Sequence, residues 1–91
     1  MVRDLRAAAE KWMRENPEAM RLFRKFAGQM LAAERRFGIG QLTERVRWEC
    51  AVKTRGEPFK INNNFRAYIA RRLIREDRRY ASLIEVRYAR C

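Results

Sequence analysis

The sequence contains no histidine, and this absence excludes several enzyme classes at once. Hydrolases of the Ser-His-Asp and Cys-His types use a histidine as general base, and most zinc sites use one as a ligand. Aspartate occurs only at Asp4 and Asp77, in different segments, so the clustered carboxylates of a metal-dependent nuclease are missing. The only serine is Ser82. We therefore expect a protein that is no enzyme and that holds no metal or cofactor.

Cysteine is scarce as well. Cys50 and Cys91 are far apart and form no Cys-x-x-Cys pair, which is typical of a reduced intracellular protein rather than a disulfide scaffold. No apolar run approaches the ~20 residues that a membrane span needs. No apolar segment of the secretory type follows the first residues either. We expect a cytoplasmic protein that makes no contact with a membrane.

Positive charge is what the sequence has in excess. Lys and Arg total 22 and Asp and Glu total 11, so the formal net charge of this 91-residue chain is +11. Most of these cations are arginine, whose planar guanidinium suits phosphates and base edges. Because its pI is near 11.0, the chain is expected to bind a polyanion, and nucleic acid is the first candidate. The length allows one domain, and 47% hydrophobic residues allow a packed core.

Helical periodicity dominates the first half of the chain. Apolar residues at helical spacing predict a first helix from Asp4, as its N-cap, to about Glu15. The second helix is predicted to begin at an Asn16 cap with Pro17 in its first turn and to extend to about Arg36. Gly38 fits the left-handed position that ends such a helix. A third helix is predicted over residues 41–54.

Turn residues at 55–58 lead into a short alternating run at 59–61, which predicts a strand. A fourth helix is predicted from the asparagines at 62–64 to about Glu76, followed by a turn or one short helical turn over 77–82. Residues 83–89 alternate again and are expected to pair antiparallel with 59–61. The predicted fold is mainly α with a small two-stranded β-sheet (α+β), a winged helix-turn-helix-like single domain over residues 1–91. The strand order departs from the standard winged arrangement.

Three stretches also resemble a known group of sequences: Arg36 to Gly40, Glu44 to Glu49, and the run Phe59-Lys60-Ile61-Asn62-Asn63-Asn64 with its continuation to Arg71. Together they resemble a family of small uncharacterised proteins encoded by bacteriophages and prophages. The Phe-Lys-Ile-Asn-Asn-Asn run is the most specific part. The resemblance implies a phage-derived protein that acts in the cytoplasm of a bacterial host cell, and it implies no particular activity.

The fourth helix carries the main candidate site. One arc of its predicted surface is polar and cationic, formed by Asn63, Asn64, Tyr68, Arg71, Arg72 and Arg75. Arginine can read guanine and asparagine can read adenine in the major groove, and helix N-termini suit phosphates. The alternative is a solvated helix face preceded by capping asparagines, and for the asparagines capping is the more common role.

Two further clusters of arginine and aromatic residues are candidate binding sites. In a winged domain, backbone phosphates would be contacted by the C-terminal arginines Arg78, Arg79, Arg87 and Arg90. The alternative is a charged edge strand that blocks association between sheet edges. The second cluster, a possible partner-binding surface, consists of Arg45, Arg47 and Trp48. Surface ion pairs with a half-buried Trp48 are the favoured interpretation of this stretch.

These features predict a protein that binds double-stranded DNA, with the fourth helix in or against the major groove and with affinity from arginine–phosphate contacts. The alternative is a phage effector that binds and inhibits a host protein, such as a defence-system component. The apolar stripe of the first helix is expected to pack within the domain, and a homodimer through that stripe is the second possibility.

Overall fold

The computed structural model describes the backbone of residues 2–53 and 61–85 and the side chains of residues 4–50 and 61–85. Within these residues the chain is mainly helical, with one small sheet. The elements are α1 (Val2–Glu15), α2 (Pro17–Ala32), β1 (Phe37–Gly38), α3 (Ile39–Lys53), α4 (Arg66–Glu76) and β2 (Ile84–Glu85), with 3-10 turns at Asn63–Phe65 and Arg78–Ser82. The four predicted helices and the mainly α class with a two-stranded sheet are confirmed. The predicted turn at 55–58 and most of the predicted strand at 59–61 lie outside the described residues.

A single residue, Asn16, separates α1 from α2. Its backbone oxygen accepts the first hydrogen bond of α2, from the Met20 amide at 3.1 Å, and Pro17 occupies the first turn as predicted. Its side chain does not cap α2; Nδ2 instead donates to the Trp12 carbonyl at 2.8 Å, at the end of α1. Asp4 is not an N-cap either, because α1 begins at Val2 and Asp4 lies within its first turn.

The second helix ends at Ala32, not near Arg36. Glu34 has a positive φ of 55°, and the Arg35 and Glu34 amides donate back to the Met30 and Leu31 carbonyls, both at 3.0 Å. This is the double hydrogen bond of a Schellman cap. The left-handed residue is thus a glutamate, and the prediction for Gly38 was wrong: Gly38 lies in β1. The apolar periodicity continues past Ala32, which is why the pattern alone overextended the helix.

The two strands are parallel, with Phe37 opposite Ile84 and Gly38 opposite Glu85. The predicted antiparallel pairing of 59–61 with the last strand was therefore wrong for the part that is described: Ile61 is buried but outside any strand. The physical reason lies next to β2, where the Tyr80 ring packs edge-on against Phe37 at 6.5 Å. This contact holds β1, which follows α2 in the chain, beside β2. The predicted residues 86–89 lie outside the described part.

The helices form a closed ring around one core, because α1 packs on α2 and α4, and α3 packs on the same two helices. The largest fully buried side chains are Phe23, Leu22, Ile69, Leu73, Val46 and Thr43. The buried Thr43 hydroxyl donates to the Ile39 carbonyl at 2.7 Å, so it remains satisfied. Each helix consequently turns one face to the core and one to solvent.

Candidate nucleic-acid interface

The sequence of α4 separates its two faces cleanly. Ile69, Ala70 and Leu73 are buried against the other helices. Arg71 and Arg75, four residues apart, project from the opposite face and are exposed. The predicted cationic face therefore exists at these two positions.

The exposed face of α4 carries arginines that form no salt bridge with another described residue. Neither Arg71 nor Arg75 forms an ion pair with a residue that the structure describes. The Arg71 guanidinium carbon lies 5.2 Å from the centre of the Tyr68 ring, within cation–π range. Tyr68 thus restricts Arg71 while leaving its N–H groups available to a ligand. Arg78, in the 3-10 turn after α4, is exposed and likewise has no ion pair within the described part of the chain. We call Arg71, Arg75 and Arg78 the α4 arginine face.

Arg72 does not belong to this face, although the sequence grouped it there. Its guanidinium forms an ion pair with Glu10 of α1, and both side chains are about three-quarters buried, at 27% and 25% exposure. Helical periodicity groups Arg72 with the polar arc, but α1 packs against this position of α4. Its role is to join α1 to α4.

The three asparagines before α4 serve mainly local structure. Asn62 Oδ1 accepts a hydrogen bond from the Asn64 amide at 2.8 Å, which is the capping role. Asn63 Oδ1 accepts a hydrogen bond from Arg47, which orients this side chain towards α3. Asn64 is exposed, as are Asn62 and Asn63.

Arg47 was predicted to belong to a possible partner-binding surface. Its guanidinium instead forms hydrogen bonds within the domain. It pairs with Glu44 one turn earlier, donates to the Ile61 carbonyl at 2.6 Å, and donates to Asn63. One partly buried guanidinium thus holds the segment before α4 onto α3. The surface ion pair expected in this stretch is confirmed as Arg47–Glu44.

The other C-terminal arginines differ from Arg78. Arg79 forms a fork on Asp77, with Nε to Oδ1 at 3.0 Å and Nη2 to Oδ2 at 2.7 Å. The side-chain and backbone hydrogen bonds of Arg79 lower the pKa of Asp77, so this carboxylate stays ionised and the pair is neutral. Arg87 and Arg90 lie outside the described residues.

The last residue of α4 is also paired. Glu76 accepts two hydrogen bonds from Arg24 of α2, Nε to Oε1 at 2.9 Å and Nη2 to Oε2 at 3.0 Å. These bonds lower the pKa of Glu76, against a smaller opposing effect of partial burial. Glu76 is thus hydrogen-bonded to α2, and its charge also interacts with Arg75 without forming an ion pair.

Trp48 contradicts the favoured interpretation of its stretch. It is 69% exposed and lies on the side of α3 opposite the buried Val46 and Cys50. Arg45 lies three residues earlier and its guanidinium carbon stacks 4.2 Å from the centre of the Phe26 ring on α2. Nothing in the sequence pattern pointed to this contact, because Phe26 belongs to another helix.

No group of three or more His, Cys, Asp or Glu side chains in the described ranges could hold a metal ion. Across the same ranges, no helix is long and apolar enough to cross a membrane. No protein-family model matches the chain, and neither a curated protein nor a solved structure does.

Proposed function

We propose that this protein binds double-stranded DNA through the α4 arginine face. The observation that carries the proposal is the contrast between neighbouring cations: Arg72 and Arg79 are bound by carboxylates, whereas Arg71 and Arg75 are exposed and lack a carboxylate partner among the described residues. Cations that a fold leaves uncompensated on one helix face are suited to phosphates. The net charge of +11 supports the same ligand class.

The proposed docking places α4 in or against the major groove, as in a winged helix-turn-helix-like domain. Asn64, Tyr68, Arg71 and Arg75 would face the groove, and Arg78 would contact the adjacent backbone. The described strands form a parallel pair and not a hairpin wing. The wing-like phosphate contact is therefore assigned to Arg78, in the turn after α4.

The test is a fluorescence-anisotropy titration of random duplex DNA at about 50 and 200 mM salt, because phosphate contacts weaken with salt. The double variant Arg71→Ala/Arg75→Ala is compared with Lys11→Ala/Arg14→Ala, which removes the same charge from exposed positions of α1. We expect the first variant to bind at least about tenfold more weakly and the second to stay near wild type, since a charge-assisted hydrogen bond contributes roughly 1.5 kcal/mol or more. Equal losses in both variants would mean that net charge, and not this face, binds DNA.

A further inference from the structure

A second surface of different chemistry lies on α3. Trp48 is the large apolar side chain that stays exposed among the residues whose side chains the structure describes. The core does not need it, because α3 already buries Leu42, Val46 and Cys50 on its opposite side. The exposed indole of Trp48 is therefore available for stacking with a planar ligand group.

One cation is a helical neighbour of this tryptophan, and a second cation shares an aromatic ring with the first. Arg45 is three residues before Trp48 and therefore adjacent to it on the helix surface. Its guanidinium is stacked 4.2 Å from the Phe26 ring centre, and the Lys25 ammonium lies 5.8 Å from the same ring. Neither cation forms an ion pair with a residue inside the described ranges. We call Lys25, Arg45 and Trp48 the Trp48 surface.

The neighbours of Trp48 on α3 indicate what kind of ligand fits. Glu44 and Gln41, one and two turns before Trp48, are exposed, and Glu44 is paired with Arg47; Glu49 is partly buried. A protein interface normally surrounds its aromatic anchor with a desolvated core depleted of charge. A lone aromatic ring beside cations is instead the arrangement on which unpaired bases stack while their phosphates meet the positive charges.

We propose that the Trp48 surface binds single-stranded nucleic acid, with an unpaired base stacked on the Trp48 indole and the adjacent phosphates on Arg45 and Lys25. The proposal rests on the proposed function in that the ligand is a nucleic acid, but it uses residues that the α4 arginine face does not. It extends the substrate class from plain duplex to DNA with an unpaired stretch.

Tryptophan fluorescence tests this directly, because the chain has two tryptophans and only one lies on the proposed surface. Trp12 contacts Phe65 in the interior, at 6.2 Å between ring centres, so Trp12→Phe retains an aromatic ring there and isolates the Trp48 signal. Oligo-dT is titrated into this variant, and we expect strong quenching of Trp48. Blunt duplex should quench it little. If Trp12→Phe fails to fold, the difference between wild-type and Trp48→Phe emission gives the same signal.

Binding of labelled oligo-dT to Trp48→Ala and Trp48→Phe then measures the stacking. We expect Trp48→Ala to lose about tenfold or more in affinity and Trp48→Phe to lose less, because phenylalanine keeps a stacking face. Duplex affinity should be unchanged in both. Conversely, Arg71→Ala/Arg75→Ala should weaken duplex binding and leave Trp48 quenching by oligo-dT intact.

Two results would overturn the proposal. If oligo-dT binds without changing Trp48 emission, the base does not stack there. If polyglutamate quenches Trp48 at lower concentration than oligo-dT, the surface fits an acidic protein partner instead. If wild type and Arg71→Ala/Arg75→Ala bind duplex equally while oligo-dT still quenches Trp48, the proposed function alone is rejected, so the two failures are separable.

Discussion

Arg72 of α4 and Glu10 of α1 form an ion pair across the contact between their helices, although 62 residues separate them in sequence. Both side chains are largely shielded from solvent. Arg72 therefore stabilises the contact between α1 and α4 and is not available to a ligand, although it lies among other arginines in the sequence. Its neighbour Arg71, one residue earlier, is stacked on Tyr68 and stays available to a ligand.

Alanine substitutions of these two adjacent arginines should therefore lower the free energy of unfolding by different amounts. Arg72→Ala leaves a partly buried Glu10 without its cation, and we expect the free energy of unfolding to fall by about 1 kcal/mol or more. Arg71→Ala should change it by less than about 0.5 kcal/mol, as for an exposed position. Urea unfolding followed by circular dichroism measures both. A larger stability loss in Arg71→Ala than in Arg72→Ala would contradict this division of roles.

Arg47→Ala should be the more damaging substitution on α3. It leaves the Ile61 carbonyl and the Asn63 side chain without their common donor and frees the segment before α4, so we expect a loss of roughly 1–3 kcal/mol. Lysine cannot reproduce two directed bonds from one planar group, so Arg47→Lys should restore little. Arg45→Ala removes a stacking contact with Phe26 but no hydrogen bond of the described residues, so it should cost less and is compared in the same urea titration. Full rescue by lysine would mean that charge alone matters at this position.

Gly28→Ala should stabilise the protein by about 0.5–1 kcal/mol, because Gly28 lies inside α2 and alanine restricts the unfolded chain more. A Cβ there would be 3.9 Å from the Tyr80 hydroxyl, an ordinary contact. Gly40→Ala is the matched comparison: its Cβ would meet the end of the Arg66 side chain at 3.0 Å, so its gain should be smaller. Thermal unfolding ranks the two, and a destabilised Gly28→Ala would show that α2 and Tyr80 pack more tightly than this spacing allows.

The Arg24–Glu76 contact predicts a specific pH dependence. The pKa of Glu76 is lowered in the folded protein, so the contact stabilises the fold above the unfolded-state pKa of a glutamate, and this contribution is lost as pH falls through the lowered value. Wild type should exceed Glu76→Gln in stability above about pH 5, and the difference should shrink towards pH 3. Urea titrations across this range test the sign. A difference that grows with acidity would refute the assignment.

Salt dependence distinguishes phosphate contacts from other losses. If Arg71 and Arg75 each neutralise one phosphate, the slope of log K against log salt should become less negative by about 1.8 in Arg71→Ala/Arg75→Ala. Lys11→Ala/Arg14→Ala should keep the wild-type slope. A weaker affinity with an unchanged slope would assign these arginines to base edges or to folding.

The helices could be predicted from the sequence because apolar spacing and the Asn16-Pro17 break are local signals. The strand partner could not, because alternation at 83–89 states which face is apolar but not which segment lies beside it. The arginines illustrate the same limit. Arg71 and Arg72 both fall in the predicted polar arc, and only the position of Glu10 on another helix shows that Arg72 is paired. Trp48 was expected to be half-buried, yet α3 fills its buried side with other residues and leaves Trp48 exposed.

The corner at Asn16 also bears on how copies of this chain could associate. Pro17 has no amide hydrogen, and its ring would collide with the carbonyl four residues earlier if α1 continued straight into α2. The Asn16 side chain further ties the corner to the Trp12 carbonyl. Exchange of α1 between two molecules through one continuous α1–α2 helix is therefore disfavoured, and an exchanged α1 would have to cross by way of an opened corner at Asn16.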